Sequence, residues 1–194
     1  FTYTVTDENG ATATATLTIT VNGADNEVVG VNDTGAVDAG STLTVTPDSN
    51  GLLSNDTDNG QAALSVGEAS ITEIRTGREN RSGTSGTVGS TLTGTYGTLT
   101  LNSDGTYTYV ANTDAAKAIA PADTKIDYFT YTISDGTSTD TAQLAITVTG
   151  INEAPTSTAP PTIRAVEDQP IKFQTKIFFD DPDPNSSIYG QLTY

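Results

Sequence analysis

The strongest constraint in this 194-residue chain is that it repeats itself. Residues 1–27 read FTYTVTDENGATATATLTITVNGADNE and residues 129–153 read FTYTISDGTSTDTAQLAITVTGINE. Phe1 matches Phe129, Asp7 matches Asp135, Ile19 matches Ile146 and Val21 matches Val148, with one short gap. A pattern that recurs over a whole-domain period marks a modular unit. One complete unit is therefore expected between the two copies.

Within each copy, apolar residues and threonines alternate with period two, and β-branched and aromatic types dominate, as in strands with one buried face. Further strands are expected at 35–40, 42–46, 64–74 and 126–133. In YGTLTLNSDGTYTYV (96–110), Leu99 and Leu101 flank an Asp104-Gly105 turn from Tyr107 and Tyr109, a strong hairpin signal. Only Asp114 to Ala120 reads as helical, with Thr113 as N-cap and Pro121 as its stop. Many short strands with regular turns predict an all-β protein of antiparallel Ig-like sandwich repeats in tandem. The expected divisions are 1–23, the closing strands of a preceding repeat; 24–153, a complete sandwich; 154–161, a Pro-rich linker; and 162–194, the start of a following domain. Phe1 lies inside a strand-like run, as in an excised fragment, so missing targeting signals say little about localisation.

Composition removes whole classes of chemistry. The chain has no Cys, no His and no Trp, which excludes thiol nucleophiles, imidazole bases, zinc and haem sites, and disulfide staples. Eight basic residues against 24 acidic ones, a net charge of -16, argue against nucleic acid. No stretch is long and apolar enough to cross a membrane as a helix. Calcium suits the composition, because it takes six to eight oxygen ligands from carboxylates, amides and backbone.

The acidic residues cluster in loops with Asn and Gly. If strands alternate in direction, the second-to-third, fourth-to-fifth and sixth-to-seventh loops share one end of the sandwich. These carry Asn55, Asp56 and Asp58, then Asp104, then Asp135. The incoming linker brings Asp25, Asn26, Glu27, Asn32 and Asp33 to the same end. A second junction would join Asn152 and Glu153 to Glu167, Asp180, Asp181 and Asp183. Each loop can also be read as ordinary turn chemistry, since Asp, Asn and Gly are the usual turn residues. Neither acidic run is an EF-hand: after Asp181-x-Asp183-x-Asn185, Ser186 replaces the Gly and Leu192 the closing Glu. Crowded carboxylates repel, so a cation would lock such a junction and its removal would splay it.

The stretch 76–91, TGRENRSGTSGTVGST, together with Arg75, holds three of the eight basic residues. It reads as a mobile surface loop or, alternatively, as a site for an acidic partner through Arg75, Arg78 and Arg81.

Three runs together resemble VCBS-type and tandem cadherin-like repeats of large bacterial adhesins of the RTX type, exported by type I secretion: GTYGTLTLNSDGTYTYVAN (94–112), FTYTISDG (129–136) with LAITVTGINEAP (144–155), and LLSNDTD (52–58) after VNDTG (31–35). From Pro160, AVEDQPIKFQ followed by FFDDPDPNSSIYGQLTY is similar to the opening of a dystroglycan-type cadherin-like domain. The resemblance implies calcium-binding extender modules, with Asn55, Asp56, Asp58 and Asp135 as ligands. The long basic loop departs from the compact version of these repeats.

The leading expectation is a non-enzymatic, calcium-stiffened segment of an extracellular, cell-surface or secreted adhesin in cell adhesion or biofilm, with calcium ions and neighbouring repeats as partners. A second class is a polysaccharide-binding module of a biofilm matrix, using Tyr96, Tyr107, Tyr109 and Tyr128 for stacking. A third is a hydrolase with paired carboxylates. Strand exchange through free edges is a fourth.

Overall fold

A computed structural model describes residues 1–21, 27–46, 51–58, 64, 67–157, 179–180 and 183. The strands are β1 (Thr2–Thr6), β2 (Thr12–Thr16), β3 (Val28–Val29), β4 (Asp33–Asp38), β5 (Thr42–Val45), β6 (Thr57–Asp58), β7 (Ser70–Thr76), β8 (Ser85–Gly86), β9 (Thr91–Thr93), β10 (Thr98–Leu101), β11 (Tyr107–Val110), β12 (Thr124–Ser134), β13 (Thr139–Thr149), β14 (Thr156–Ser157) and β15 (Phe179–Asp180). A 3-10 turn spans Leu52–Ser54, and one short helix, α1, spans Asp114–Lys117. The expected strand at 64–74 begins later, at Ser70, and the helix stops three residues before the predicted end. Thr113 caps α1 as expected, its hydroxyl accepting from the Ala116 amide at 3.2 Å.

Two sheets face each other. One runs β4-β13-β12-β7-β8 and the other β5-β11-β10-β9. Alternation decides what lies between them: Phe129, Tyr131 and Ile133 on β12, Ala142, Leu144, Ile146 and Val148 on β13, and Leu99, Leu101, Tyr107 and Tyr109 on the opposite sheet are all buried. The hairpin around Asp104-Gly105 forms in the register its apolar residues require, Leu101 opposite Tyr107 and Leu99 opposite Tyr109. Tyr109 meets Phe129 edge to face across the core, with centroids 6.2 Å apart. One pairing differs from strict antiparallel alternation. β4 lies along β13 in parallel, Leu144 opposite Asp33 through Thr149 opposite Asp38. The edge strand thus enters from the end where the linker arrives.

A carboxylate pins the far end of the sandwich. Asp127 sits on β12 in phase with Phe129 and Tyr131, so its side chain points inward, and it is 4 % exposed. Its oxygens accept from the amides of Thr95 (3.0 Å) and Tyr96 (2.9 Å) and from the Tyr109 hydroxyl (2.9 Å). A Cβ on Gly94 would collide with this carboxylate and with the Phe129 ring, which explains the glycine. Ala116 of α1 and Ile119 are buried against the core.

The β1–β2 hairpin provides an internal control. Its Phe1, Tyr3, Val5, Leu17, Ile19 and Val21 hold the pattern that is buried in the second copy, yet they are 84, 53, 59, 50, 59 and 86 % exposed. Truncating the same residue in the two copies should therefore have very unequal consequences. Tyr131→Ala is expected to cost about 3–5 kcal/mol in urea denaturation, whereas Tyr3→Ala should cost less than about 0.5 kcal/mol. Asp127→Ala, which strands two amides and a hydroxyl, should cost about 3 kcal/mol or more.

Candidate functional site

The site grows from the way the linker is tied to the sandwich. Residues 28–32 run extended over one end, and β3 forms a two-residue antiparallel bridge with β6, Val28 opposite Asp58 and Val29 opposite Thr57. Val28 is buried and anchors the run in the core. The linker amides then find side-chain acceptors in turn: Val28 donates to the Ser138 hydroxyl at 2.9 Å, Gly30 to Asp140 at 2.8 Å, and Val31 to Asp56 Oδ1 at 2.7 Å. Gly30 leaves little room for a side chain, since a Cβ would stand 3.1 Å from Ala142 and from Ile133, closer than ordinary contact. The Asn55 amide donates to the carbonyls of Val31 and Asn32 at 3.3 and 3.4 Å. Asp33, at the start of β4, accepts a 2.5 Å hydrogen bond from the Tyr131 hydroxyl.

Asp33, Asn55, Asp56 and Asp140 therefore share one corner, with Asp58 on the adjoining bridge. Asp56 is fully buried, yet its Oδ2 has no hydrogen-bond partner, and neither has the buried Oδ1 of Asp58. Burying a carboxylate oxygen without a donor is costly. Burial is also the main reason the Asp56 carboxyl is pushed up from 3.8 to about 7, with the charges of Asp33 and Asp140 adding to the effect and the Val31 amide opposing it. Asp33 is likewise pushed up to about 6 by burial, against the hydrogen bonds from Tyr131 and Asn55. Tyr107 rises to about 12 through burial and the nearby Asp33 charge. The donor set is all oxygen, which fits a hard divalent cation. Among the described residues, no three acidic side chains are gathered closely enough to enclose an ion as they stand, so an ion here would draw on Asn55 and backbone carbonyls as well.

The other expected residues fall elsewhere. Asp104 and Asp135 close their own turns. Asp104 accepts from the amide and hydroxyl of Thr106, which lowers its carboxyl. Asp135 accepts from the Ser138 and Thr137 amides and from the Thr137 hydroxyl, which lowers its carboxyl further. The Asn32 side-chain oxygen accepts from the Gln143 amide at 2.8 Å, and Glu27 and Asn152 are exposed. At the second junction the Glu153 amide donates to both oxygens of the buried Asp183, at 3.2 and 3.0 Å, while β14 pairs with β15 so that Thr156 faces Asp180. Asp25, Asn26, Glu167 and Asp181 lie outside the described residues. Tyr107 and Tyr109 are buried, which removes them as stacking surfaces for a sugar. Asp140 was not anticipated, because it lies in a strand rather than a turn. Its place in the inward phase of Ala142, Leu144 and Ile146 was the available signal.

The model of the bacterial cadherin-like domain matches residues 25–150, the span that contains both sheets and the acidic corner. The chain belongs to that family. Bacterial cadherin-like domains are typically extracellular and non-enzymatic, and no helix among the described residues is long and apolar enough to cross a membrane. A comparison with curated proteins returns no match. Among solved structures, two of an endo-fucoidan hydrolase from glycoside hydrolase family 107 align over 82 % of this chain and 21 % of their own, at 19 and 17 % identity with a TM-score of 0.37. This chain thus spans about a fifth of their length, and a TM-score so low carries no argument about fold or activity.

The raised carboxyls make a signed prediction. A folded-state value above the unfolded one means the folded protein binds protons more tightly between about pH 4 and 7, so its stability falls as pH rises through that window. In chelator, the melting temperature of this cadherin-like chain should fall from about pH 5 to about pH 8. Asp104 and Asp135 act with the opposite sign, but only below the ordinary carboxylate range. Asp56→Asn should flatten the slope, and an unchanged slope would refute the assignment.

Proposed function

We propose that the chain is a calcium-stiffened extender segment of a bacterial cell-surface or secreted adhesin, a reading carried chiefly by the unpartnered oxygen of the buried Asp56. Calcium would be held by Asp56 and Asp58, with Asp33, Asn55, Asp140 and nearby linker carbonyls completing an oxygen shell. A bound cation supplies the charge that the corner lacks and makes the ionised form of Asp56 the stable one. Because the same carboxylate accepts from the linker amide of Val31, filling the corner also fixes the direction in which the linker leaves the sandwich.

The second junction supports a repeated plan. A two-residue bridge joins linker and following module in both places, with Asp58 and Asp180 at corresponding positions. The exposed face of the β1–β2 hairpin supports the same reading, because its counterpart in β12–β13 is covered by a complete sandwich. Residues 1–23, 24–153 and 162–194 are then successive modules, with 154–161 between the second and third. Modular calcium sites of this kind bind at about 10⁻⁴ to 10⁻³ M, in keeping with an extracellular setting.

The test is thermal melting and small-angle scattering of the chain with millimolar calcium and with chelator. At a tenfold excess over its dissociation constant, one calcium ion should add about 1.4 kcal/mol and lengthen the particle. Asp56→Asn should remove the response, while Asp135→Asn should leave it intact. Melting curves that coincide in calcium and chelator would defeat the proposal.

A further inference from the structure

The basic loop is folded around one of its own arginines. The half-buried Arg75 guanidinium donates to the carbonyls of Arg81 (2.6 Å), Arg78 (3.0 Å), Thr76 (3.5 Å) and Glu79. The base of the loop closes where the Thr76 amide meets the Thr84 carbonyl at 2.9 Å and the Thr84 amide meets the Thr76 hydroxyl at 2.9 Å. It is then laid against the outer face of the sheet: Gly77 donates to the Tyr128 carbonyl, the Thr130 hydroxyl donates to the Gly77 carbonyl, and the Thr141 hydroxyl donates to the Glu79 carboxylate at 2.9 Å. Arg75 is thus consumed in shaping the loop, while Arg78 and Arg81 remain exposed.

Arg78 is held ready. Its guanidinium carbon stands 3.8 Å from the Tyr128 ring centroid, and one nitrogen donates to the Tyr128 hydroxyl at 2.6 Å. That engages one of five N–H donors, and an arginine already stacked on an aromatic face loses less freedom when it pairs with an anion. The same Tyr128 lines a crevice of about 350 Å³ between the loop and the β9–β10 turn, together with Thr76, Gly77, Thr93, Thr95 and Ile126, so Arg78 borders it through the ring on which it stacks. Ile126 is 43 % exposed there, an isoleucine presented to water on an outer sheet face. Asp127 at the crevice floor is already committed to the amides of Thr95 and Tyr96 and to Tyr109, so it does not offer a free acceptor.

A planar cation, threonine hydroxyls and a small apolar wall are the complement of a sugar ring that carries a carboxylate. We propose that this crevice binds a uronic-acid unit of an acidic polysaccharide, with Arg78 pairing the carboxylate through its fork, Thr93 and Thr95 meeting ring hydroxyls, and Ile126 facing the C–H side of the ring. The site is independent of the acidic corner and of any cation there. On a chain of net charge -16, it offers an anion a prepositioned guanidinium.

The test is titration of the full chain with trigalacturonate in calcium-free buffer at about 0.15 M salt, which screens the long-range repulsion, followed by amide chemical shifts. Saturable binding is expected, with shifts at 76–78, 93–95 and 126–128. Arg78→Ala should weaken it by at least about tenfold, and Arg78→Lys should also weaken it, because an ammonium cannot form the fork; both should melt as the parent does. Cellotriose, which lacks the carboxylate, should not bind. Absence of trigalacturonate binding, equal binding of cellotriose, indifference to Arg78→Ala, or shifts confined to other residues would each overturn the proposal. So would finding that the loop instead pairs two copies of the chain, seen as concentration-dependent mass that Arg78→Ala removes. With calcium absent throughout, the outcome is blind to whether the acidic corner binds metal.

Discussion

A carboxylate shut away from water with one oxygen unpaired governs the behaviour of this molecule. Two like charges about 5 Å apart at an effective dielectric of about 20 repel by roughly 3 kcal/mol, and Asp56 faces the charges of both Asp33 and Asp140. The corner can relieve that strain by taking up a proton, by opening, or by taking up a cation. The first keeps the linker in place only where protons are plentiful. The second must give up the β3–β6 bridge and the buried Val28. Only the third preserves the linker contacts at neutral pH with every carboxylate ionised.

The contrast between Asp56 and Asp127 shows why burial alone does not make a site. Both are buried aspartates in one sandwich, at opposite ends. Asp127 receives two consecutive amides and a phenol, so both of its oxygens have donors. Asp56 receives one amide, from the linker. The first arrangement is a fixed structural pin. The second lacks stabilisation that an outside ligand can supply, and it lies where residues 28–32 cross the end of the sandwich.

The alternation of apolar residues made the sandwich and the Leu99–Tyr109 hairpin legible in the sequence, because side chains on a strand change face at every residue and only one register buries them all. Convergence of the acidic loops on one end was legible too, since chain direction places turns. Which carboxylates face the corner was not. Asp104 and Asp135 stand before Gly in tight turns, where the side chain bends back onto the amides two and three residues on. Asp140 and Asp127 sit inside strands, in the inward phase, where a polar residue interrupting a buried face is the stronger signal of a built interaction. The parallel placement of β4 depends on a partner strand more than a hundred residues away, and nothing local encodes it. The basic loop reads in sequence as a mobile surface loop or a site for an acidic partner, and its internal order is not legible there, because that order comes from a guanidinium caging four carbonyls rather than from any repeating pattern.

The position of the unpaired oxygen also decides what a bound cation can change. The core between the two sheets is complete without it: Phe129, Tyr131, Leu144, Ile146 and Val148 are buried whether or not the corner is filled. The linker is held differently, by a two-residue bridge and by single hydrogen bonds from consecutive stretches of its backbone to Ser138, Asp140 and Asp56. Two of those three acceptors are carboxylates, which hold an amide more strongly when charged. A ligand that stabilises the charge therefore acts first on the angle and stiffness of the junction and only secondarily on the sandwich. Since a Cβ at Gly30 would stand 3.1 Å from Ala142 and from Ile133, a larger residue there would press the linker away from the sandwich. In a string of such modules, stiffness would follow the occupancy of the corners rather than the stability of the folds between them.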